Sequence, residues 1–289
     1  MLLQFIINGL ITGLLYSLLA IGFALVYNTT HIFHIAAAGI YVAAAYVFWE
    51  FASGLHIPVA ISAILAILLT MGLSLLCEKI VYHPLSTKKA PSNIAMIASI
   101  GVMTVLVNLV AMFFGNDTKV ITSVIQKTFS FGNIIITTPQ MYQLIVGSIT
   151  LIVFVVLISK SGVGIKLRAL SYDETLFQSL GYDIDKTRTG IFLLSGFFIA
   201  ISSCLTVYDV GLDPNMGMTV LINAMVAMII GGIGRFDACI IGGLALGILQ
   251  SLVVYQFPSS WQNAITFVVL LILLFLRPQG ILGYKQRTV

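Results

Sequence analysis

The chain has 289 residues, of which 59% are hydrophobic and 8% are charged, with a mean hydropathy of +1.08. Only a lipid bilayer accepts apolar surface on that scale, so a soluble fold is excluded. The net charge of +4 is small and gathers into no basic stripe, which excludes a nucleic-acid-binding surface.

Residues 2–27 form the first apolar segment. No basic leader or cleavage site precedes it, so Met1 onward reads as a retained helix. Gly9 and Gly13, with Ser17 one turn on, put small residues on one face where another helix can approach. Residues 28–34 (NTTHIFH) interrupt the hydrophobicity and 35–49 resume it. A second span and a broken helix dipping into the membrane both fit. A turn at 54–58 leads to a span over 59–77, then to a polar loop over 78–93. Residues 94–114 span again, and the connection 115–139 has the alternation of a small hairpin around 129–137. The span 141–159 delivers the chain to its most polar stretch.

That stretch, 160–188, carries the bases Lys160, Lys166, Arg168, Lys186 and Arg188 and the acids Asp173, Glu174, Asp183 and Asp185. Leu167, Leu170, Leu176, Phe177 and Leu180 fall near a helical repeat. Ser171 and Glu174 have capping-box spacing, and Gly181 suits a helix stop. The spacing predicts a short amphipathic helix outside the membrane. Two roles are open to it: a solvated connection, or a helix that docks in the groove of a cytoplasmic partner.

After it, 190–208 span, and 209–217 read as an external turn rich in Gly, Pro and Asx residues. The apolar run 218–233 contains Gly231 and Gly232 and meets a tight turn at 234–237. A further span, 238–255, carries Gly243 and Gly247 at GxxxG spacing, and 261–276 form the last. The expectation is an all-α polytopic membrane protein of about eight transmembrane helices. Broken or re-entrant segments have two places, near 28–52 and 209–233. The whole chain, 1–289, reads as one transmembrane domain with the polar loop 160–188 on one side.

Basic residues set the orientation. Loop 78–93, the stretch 160–188, the Arg235 turn and the C-terminus lie on one side, and only Lys119 and Lys127 among the Lys and Arg fall opposite. By the positive-inside rule the basic side is the cytoplasm.

Ionisable groups within the spans are few and form no relay, which argues against an ion-coupled transporter. His31 and His34, at the break after the first span, have two readings. One is a neutral imidazole hydrogen-bonded at a helix end. The other is a break near mid-membrane that lines a solute path. Cys77, Cys204 and Cys239 lack metal spacing and read as buried thiols, and no metal site is expected. No phosphate-cradling GxxxxGK[ST], HExxH, GxSxG or paired-carboxylate pattern occurs, so no catalytic residue is assigned.

Several motifs together resemble the permease subunits of branched-chain amino-acid-type ABC importers, most closely the LivH-like branch. They are Ile7-Asn8-Gly9-Leu10 with Tyr16, Ala20 and Gly22; Tyr82-His83-Pro84-Leu85; Leu167-Arg168-Ala169 with Leu180-Gly181-Tyr182-Asp183; Gly231-Gly232-Ile233-Gly234 with Gly242-Gly243; and Arg277-Pro278-Gln279-Gly280. One segment departs from the family. Where it commonly reads Asn-Phe-Ala-His-Gly-Glu before a Tyr, this chain has His34-Ile35-Ala36-Ala37-Ala38-Gly39, then Ile40-Tyr41.

The resemblance implies a permease in a bacterial cytoplasmic (inner) membrane that imports a branched-chain or other hydrophobic amino acid, or a similar small metabolite. Its implied partners are two ABC ATPase subunits, a second permease (LivM-like, or another copy of this chain) and an extracytoplasmic solute-binding protein. ATP and Mg would sit on the ATPases, with no cofactor on this chain. The loop 160–188 then becomes the coupling element, with Arg168, Leu170, Ser171, Glu174, Leu176, Phe177, Leu180 and Gly181 at the ATPase contact. His34, Gly39 and Tyr41 are the candidate path residues. The competing reading from another class is a passive channel for a small neutral solute such as urea.

Overall fold

The computed structural model describes residues 2–121, 127–131, 134–277 and 280–282; the side chains of Phe131, Glu174 and Leu176 lie outside that description. Among the described residues, seven helices are long and apolar enough to cross a bilayer: α1 (Leu2–Thr30), α2 (Ala36–Trp49, extended to Gly54 by a π-helical turn), α3 (Val59–Cys77), α5 (Ser92–Phe114), α6 (Thr138–Lys160), α9 (Ile184–Val210) and α11 (Ala238–Gln256). A π-helical turn and a short α4 (His83–Thr87) continue α3. Two shorter apolar helices, α10 (Met216–Gly231) and α12 (Trp261–Leu276), complete the bundle. Between α6 and α9 lie α7 (Gly162–Tyr172) and α8 (Glu174–Ser179).

The region 28–52 is a full crossing, not a dip. At about 1.5 Å per residue, α1 alone is roughly 43 Å long and carries the chain right through a bilayer core of about 30 Å. The break at residues 31–35 therefore falls at the cytoplasmic ends of α1 and α2, not at mid-depth. Ser92 Oγ, beside the polar loop, donates to the His31 carbonyl at 2.7 Å. At the other end of α1, the Gln4 side chain donates to and accepts from the backbone of Ile135 at 2.8 and 2.9 Å. Ile135 belongs to β2 (Ile134–Thr137), which pairs antiparallel with β1 (Thr128–Phe131) in register Thr128↔Thr137. The start of α1 thus lies beside the external hairpin. The segment 209–217 is an external turn, tied to the neighbouring loop by the backbone pair Lys119–Leu212.

α1 occupies the centre, with its residues from Leu14 to Val26 almost continuously buried. Its two-glycine face meets the two-glycine face of α11. A Cβ on Gly9 would come within 2.8 Å of the Ile248 Cα, and one on Gly13 within 2.8 Å of the Leu244 Cα. In the reverse direction, a Cβ on Gly243 would strike Ser17 and one on Gly247 would strike Gly13. Backbones this close gain dispersion contact that larger side chains would forbid. Gly231 and Gly242 close the α10–α11 contact in the same way, against Ala238 and Ala227. Gly232 ends α10 with φ 128°, a conformation glycine tolerates.

Serines on α9 lace the other side of the centre. Ser195 donates to the Gly22 carbonyl (2.7 Å), Ser202 to Leu15 (3.0 Å) and Ser203 to Tyr41 (2.7 Å). A second network, Tyr16–Asn223–Gln250–Thr266, joins α1, α10, α11 and α12 through side-chain hydrogen bonds of 3.2, 3.2 and 2.6 Å. Without water nearby, such groups must find partners inside the protein. Cys77, Cys204 and Cys239 are buried free thiols.

Candidate coupling site and solute path

The polar stretch 160–188 folds as a helical hairpin at the cytoplasmic face. Ser161 caps α7 by accepting from the Val163 N–H at 3.2 Å. Gly164 is required because a Cβ there would collide with the Ile158 carbonyl at the end of α6. Arg168 Nη1 donates to that same carbonyl at 2.9 Å. Arg168 thereby ties α7 to the end of α6 while its side chain stays exposed.

The cap of α8 also differs from the expected capping box. Ser171 lies within α7, and the chain leaves the helix at Asp173. Asp173 accepts from the N–H of Thr175 at 2.8 Å and from its hydroxyl. Gly181 takes φ 80° after α8.

The break at Asp173 resets the helical phase, and with it the apolar stripe. Leu167, Leu170 and Phe177 point into the chain and join its main hydrophobic core, with Leu170 at 4% and Phe177 at 1% exposure. Phe177 stacks on Tyr182 with centroids 5.0 Å apart. Leu170 and Phe177 are therefore not the surface of the hairpin. Leu180, at 62%, is exposed as expected, and Ile165 (64%) and Tyr172 (88%) join it. The side chains of Glu174 and Leu176 lie outside the described residues. A single continuous helix was the wrong premise; the signal that it breaks was Asp173 followed by Thr175, an Asx-type cap.

Two cavities flank the hairpin. One of about 700 Å³ lies between it and the ends of α1 and α5, lined by His31, Ser86, Lys89, Ser92, Tyr172 and Arg188 among others. The second, of about 590 Å³, lies between α7 and the 234–237 turn, where Arg168, Tyr172 and Arg235 meet. In that turn Arg235 is paired with Asp237, and its hydrogen bond holds the Asp237 carboxyl below the usual carboxylate range. Gly234 N–H donates to Asn28 Oδ1 at 3.3 Å, so the turn is moored to the end of α1.

Arg188, on the wall of the first cavity, belongs to a buried pair that sequence reasoning missed. Arg188 Nε meets Glu78 Oε1 at 2.9 Å with side-chain exposures of 7% and 3%, and Arg188 Nη1 donates to Ser86. His83 Nε2 lies 3.5 Å from Asp185 just outside it. The loop 78–93 is thereby joined to the start of α9.

The three expected path residues lie in packed protein. His34 is fully buried; its Nδ1 is 2.8 Å from the Tyr82 hydroxyl, which is 2.7 Å from Ser99 Oγ. Ser99 Oγ in turn accepts from the Ala36 N–H at 2.8 Å. This is a hydrogen-bonded imidazole at a helix start. Gly39 admits α5 against α2, since its Cβ would lie 3.1 Å from the Met103 Cα. Tyr41 has no exposed surface, and the Ser203 hydroxyl donates to its carbonyl. Ala37 and Ala38, at the departure from the family pattern, are buried as well.

Solved structures and known sequences show what this arrangement resembles. The fold is like that of PsaBC from Streptococcus pneumoniae in complex with Fab, with a TM-score of 0.53 over 94% of this chain and 91% of that one, at 16% identity. The chain is 26% identical to the high-affinity branched-chain amino acid transport system permease protein BraD of Pseudomonas aeruginosa, over 98% of this chain and 96% of the relative. It is 27% identical, with the same coverage, to LivH of Salmonella typhimurium. A probable branched-chain amino acid transport permease LivH of Methanocaldococcus jannaschii is 26% identical over 96% of this chain and 91% of its own length. Residues 5–274 match the family described as the branched-chain amino acid transport system, permease component. The chain belongs to that family: it is a LivH-like, multi-pass permease subunit of an ABC importer in the cytoplasmic membrane.

Proposed function

We propose that this permease carries a branched-chain or other hydrophobic amino acid into the cytoplasm, driven by ATP that is hydrolysed with Mg on two separate ATPase subunits. A second permease, LivM-like or a further copy, completes the membrane unit, and an extracytoplasmic binding protein delivers the solute. The relatives' transport of branched-chain amino acids supports the solute class.

The observation that carries the coupling role is the α7–α8 hairpin, standing at the basic face between two cavities with Ile165, Tyr172 and Leu180 exposed. Large apolar side chains on a surface that lies outside the bilayer fit a protein partner. Tyr172 borders both cavities, so an ATPase seated on it would move α7 and, through Arg168, the end of α6.

The test is uptake into proteoliposomes holding this chain with its ATPases and second permease, scanned over labelled branched-chain, aromatic and polar amino acids and urea. Uptake of leucine-like solutes that needs both ATP and binding protein is the expected result. Flux down a gradient through this chain alone would overturn it in favour of a passive channel.

A further inference from the structure

α5 is inserted edgewise into the bundle, with α2 as its principal neighbour. Ala95, Ser99 and Val110 face inward. At 100° per residue, Ile97, Gly101, Thr104 and Asn108 fall on the opposite side, and all four are exposed. The other outward faces of the bundle are aliphatic at mid-span: Ile64 and Leu68 on α3, Ile149 and Val153 on α6, Val268 and Leu271 on α12. Those suit lipid. The α5 face differs in setting Gly101, Thr104 and Asn108 among the exposed Ile97, Val105 and Met112.

Among the described residues of the spanning helices, Asn108 is the one carboxamide exposed more than a turn from either end. It lies only about 7 Å along the axis from the helix midpoint, well within a bilayer core about 30 Å thick. Thr104 is one turn nearer the centre, and Gly101 has open space where a side chain would be. The Thr104 hydroxyl and one of the two Asn108 Nδ2 hydrogens are already engaged. Thr104 Oγ1 donates to the Ile100 carbonyl at 3.0 Å and Asn108 Nδ2 to the Thr104 carbonyl at 2.8 Å. The oxygen acceptors, with the second Nδ2 hydrogen of Asn108, therefore remain on the outward side, without a partner among the described residues and without a charged side chain beside them on the same face. Polar groups in that position are stable against water, a polar solute or another helix, not against acyl chains.

We infer that this face of α5 is a wall of the solute path, where Thr104 and Asn108 offer hydrogen-bond acceptors to the protonated amine of a passing amino acid. The inference rests on the importer reading above for its solute. Uncharged acceptors hold a cation weakly enough to release it, as passage requires. The path accordingly runs outside the packed centre, along the far side of α2 and α5 from α1.

The test uses single cysteines at Thr104, Asn108 and, as a lipid-facing reference, Leu271, each in the full chain assembled with its partner subunits in membrane vesicles of both orientations. A charged methanethiosulfonate reacts only with a thiolate formed in water. Labelling at positions 104 and 108 at least about tenfold faster than at 271 is expected in one orientation or the other. Equal rates in both orientations, or disulfide cross-linking of 104 or 108 to the second permease without labelling, would overturn the wall. Because labelling is read without ATP or solute, it stands or falls separately from the importer reading. In uptake assays, Asn108→Leu should lower the initial rate about tenfold, the factor one ordinary hydrogen bond commands, while Asn108→Gln retains most of it. Unchanged uptake in Asn108→Leu, in a transporter still driven by ATP, would overturn the amine contact.

Discussion

Glu78 and Arg188 lie two membrane spans apart in sequence, yet their charges meet at 2.9 Å with both side chains almost completely buried. Taking two ions out of water is costly, and their mutual attraction offsets that cost only while both are present. Glu78→Gln would leave the guanidinium without its counter-charge and should destabilise the protein by about 3–5 kcal/mol. A lowered thermal-unfolding temperature of the detergent-purified protein would report it; an unchanged one would mean that water reaches the pair. Tyr82→Phe is a milder lesion. It strips His34 of its hydroxyl partner and should cost about 1–3 kcal/mol in the same assay. Asp183 has a different sensitivity, to pH. It caps α9, and the hydrogen bond from the Lys186 N–H holds its carboxyl below the ordinary value of 3.8. A carboxyl depressed in the folded state contributes stability that is complete above its unfolded pKa and lost as pH falls through the folded one. The loss from this cap should therefore begin only below about pH 4, and Asp183→Asn should remove that part of the acid sensitivity.

At the scale of elements, the α1–α11 seam and the α7–α8 hairpin make opposite demands on substitution. A valine at Gly247 would drive into the backbone of α1 and should lose at least about 1–3 kcal/mol through overpacking. In the hairpin, Phe177→Asp should reduce the amount of folded protein, because that side chain is core. Tyr172→Asp and Leu180→Asp should leave folded yield unchanged and separate ATP hydrolysis from uptake. Normal coupled uptake in both surface variants would remove the hairpin from the ATPase contact. An amphipathic pattern in a loop does not say which partner its apolar face covers. Here Leu170 and Phe177 cover their own chain, and the remainder is left for another.

At the scale of the whole molecule, the topology can be read chemically. A cysteine at Leu3 should react with an impermeant maleimide added to intact cells, whereas one at Tyr172 should react only after permeabilisation. The reverse pattern would invert the orientation. The spans and the turn at 209–217 were legible from hydropathy alone, because each depends on composition within a single segment. The glycine pairs were legible as close-approach faces too. Their pairing with each other was not, since nothing local in Gly9 and Gly13 points to Gly243 and Gly247. Nor could local pattern show that His34, Gly39 and Tyr41 are enclosed, or that Asn108 is open. Whether a polar residue in an apolar helix meets protein, lipid or a path depends on which helices surround it. That is a property of the assembled bundle: burial is decided by neighbours distant in sequence, while membrane insertion is decided by each twenty-residue stretch for itself.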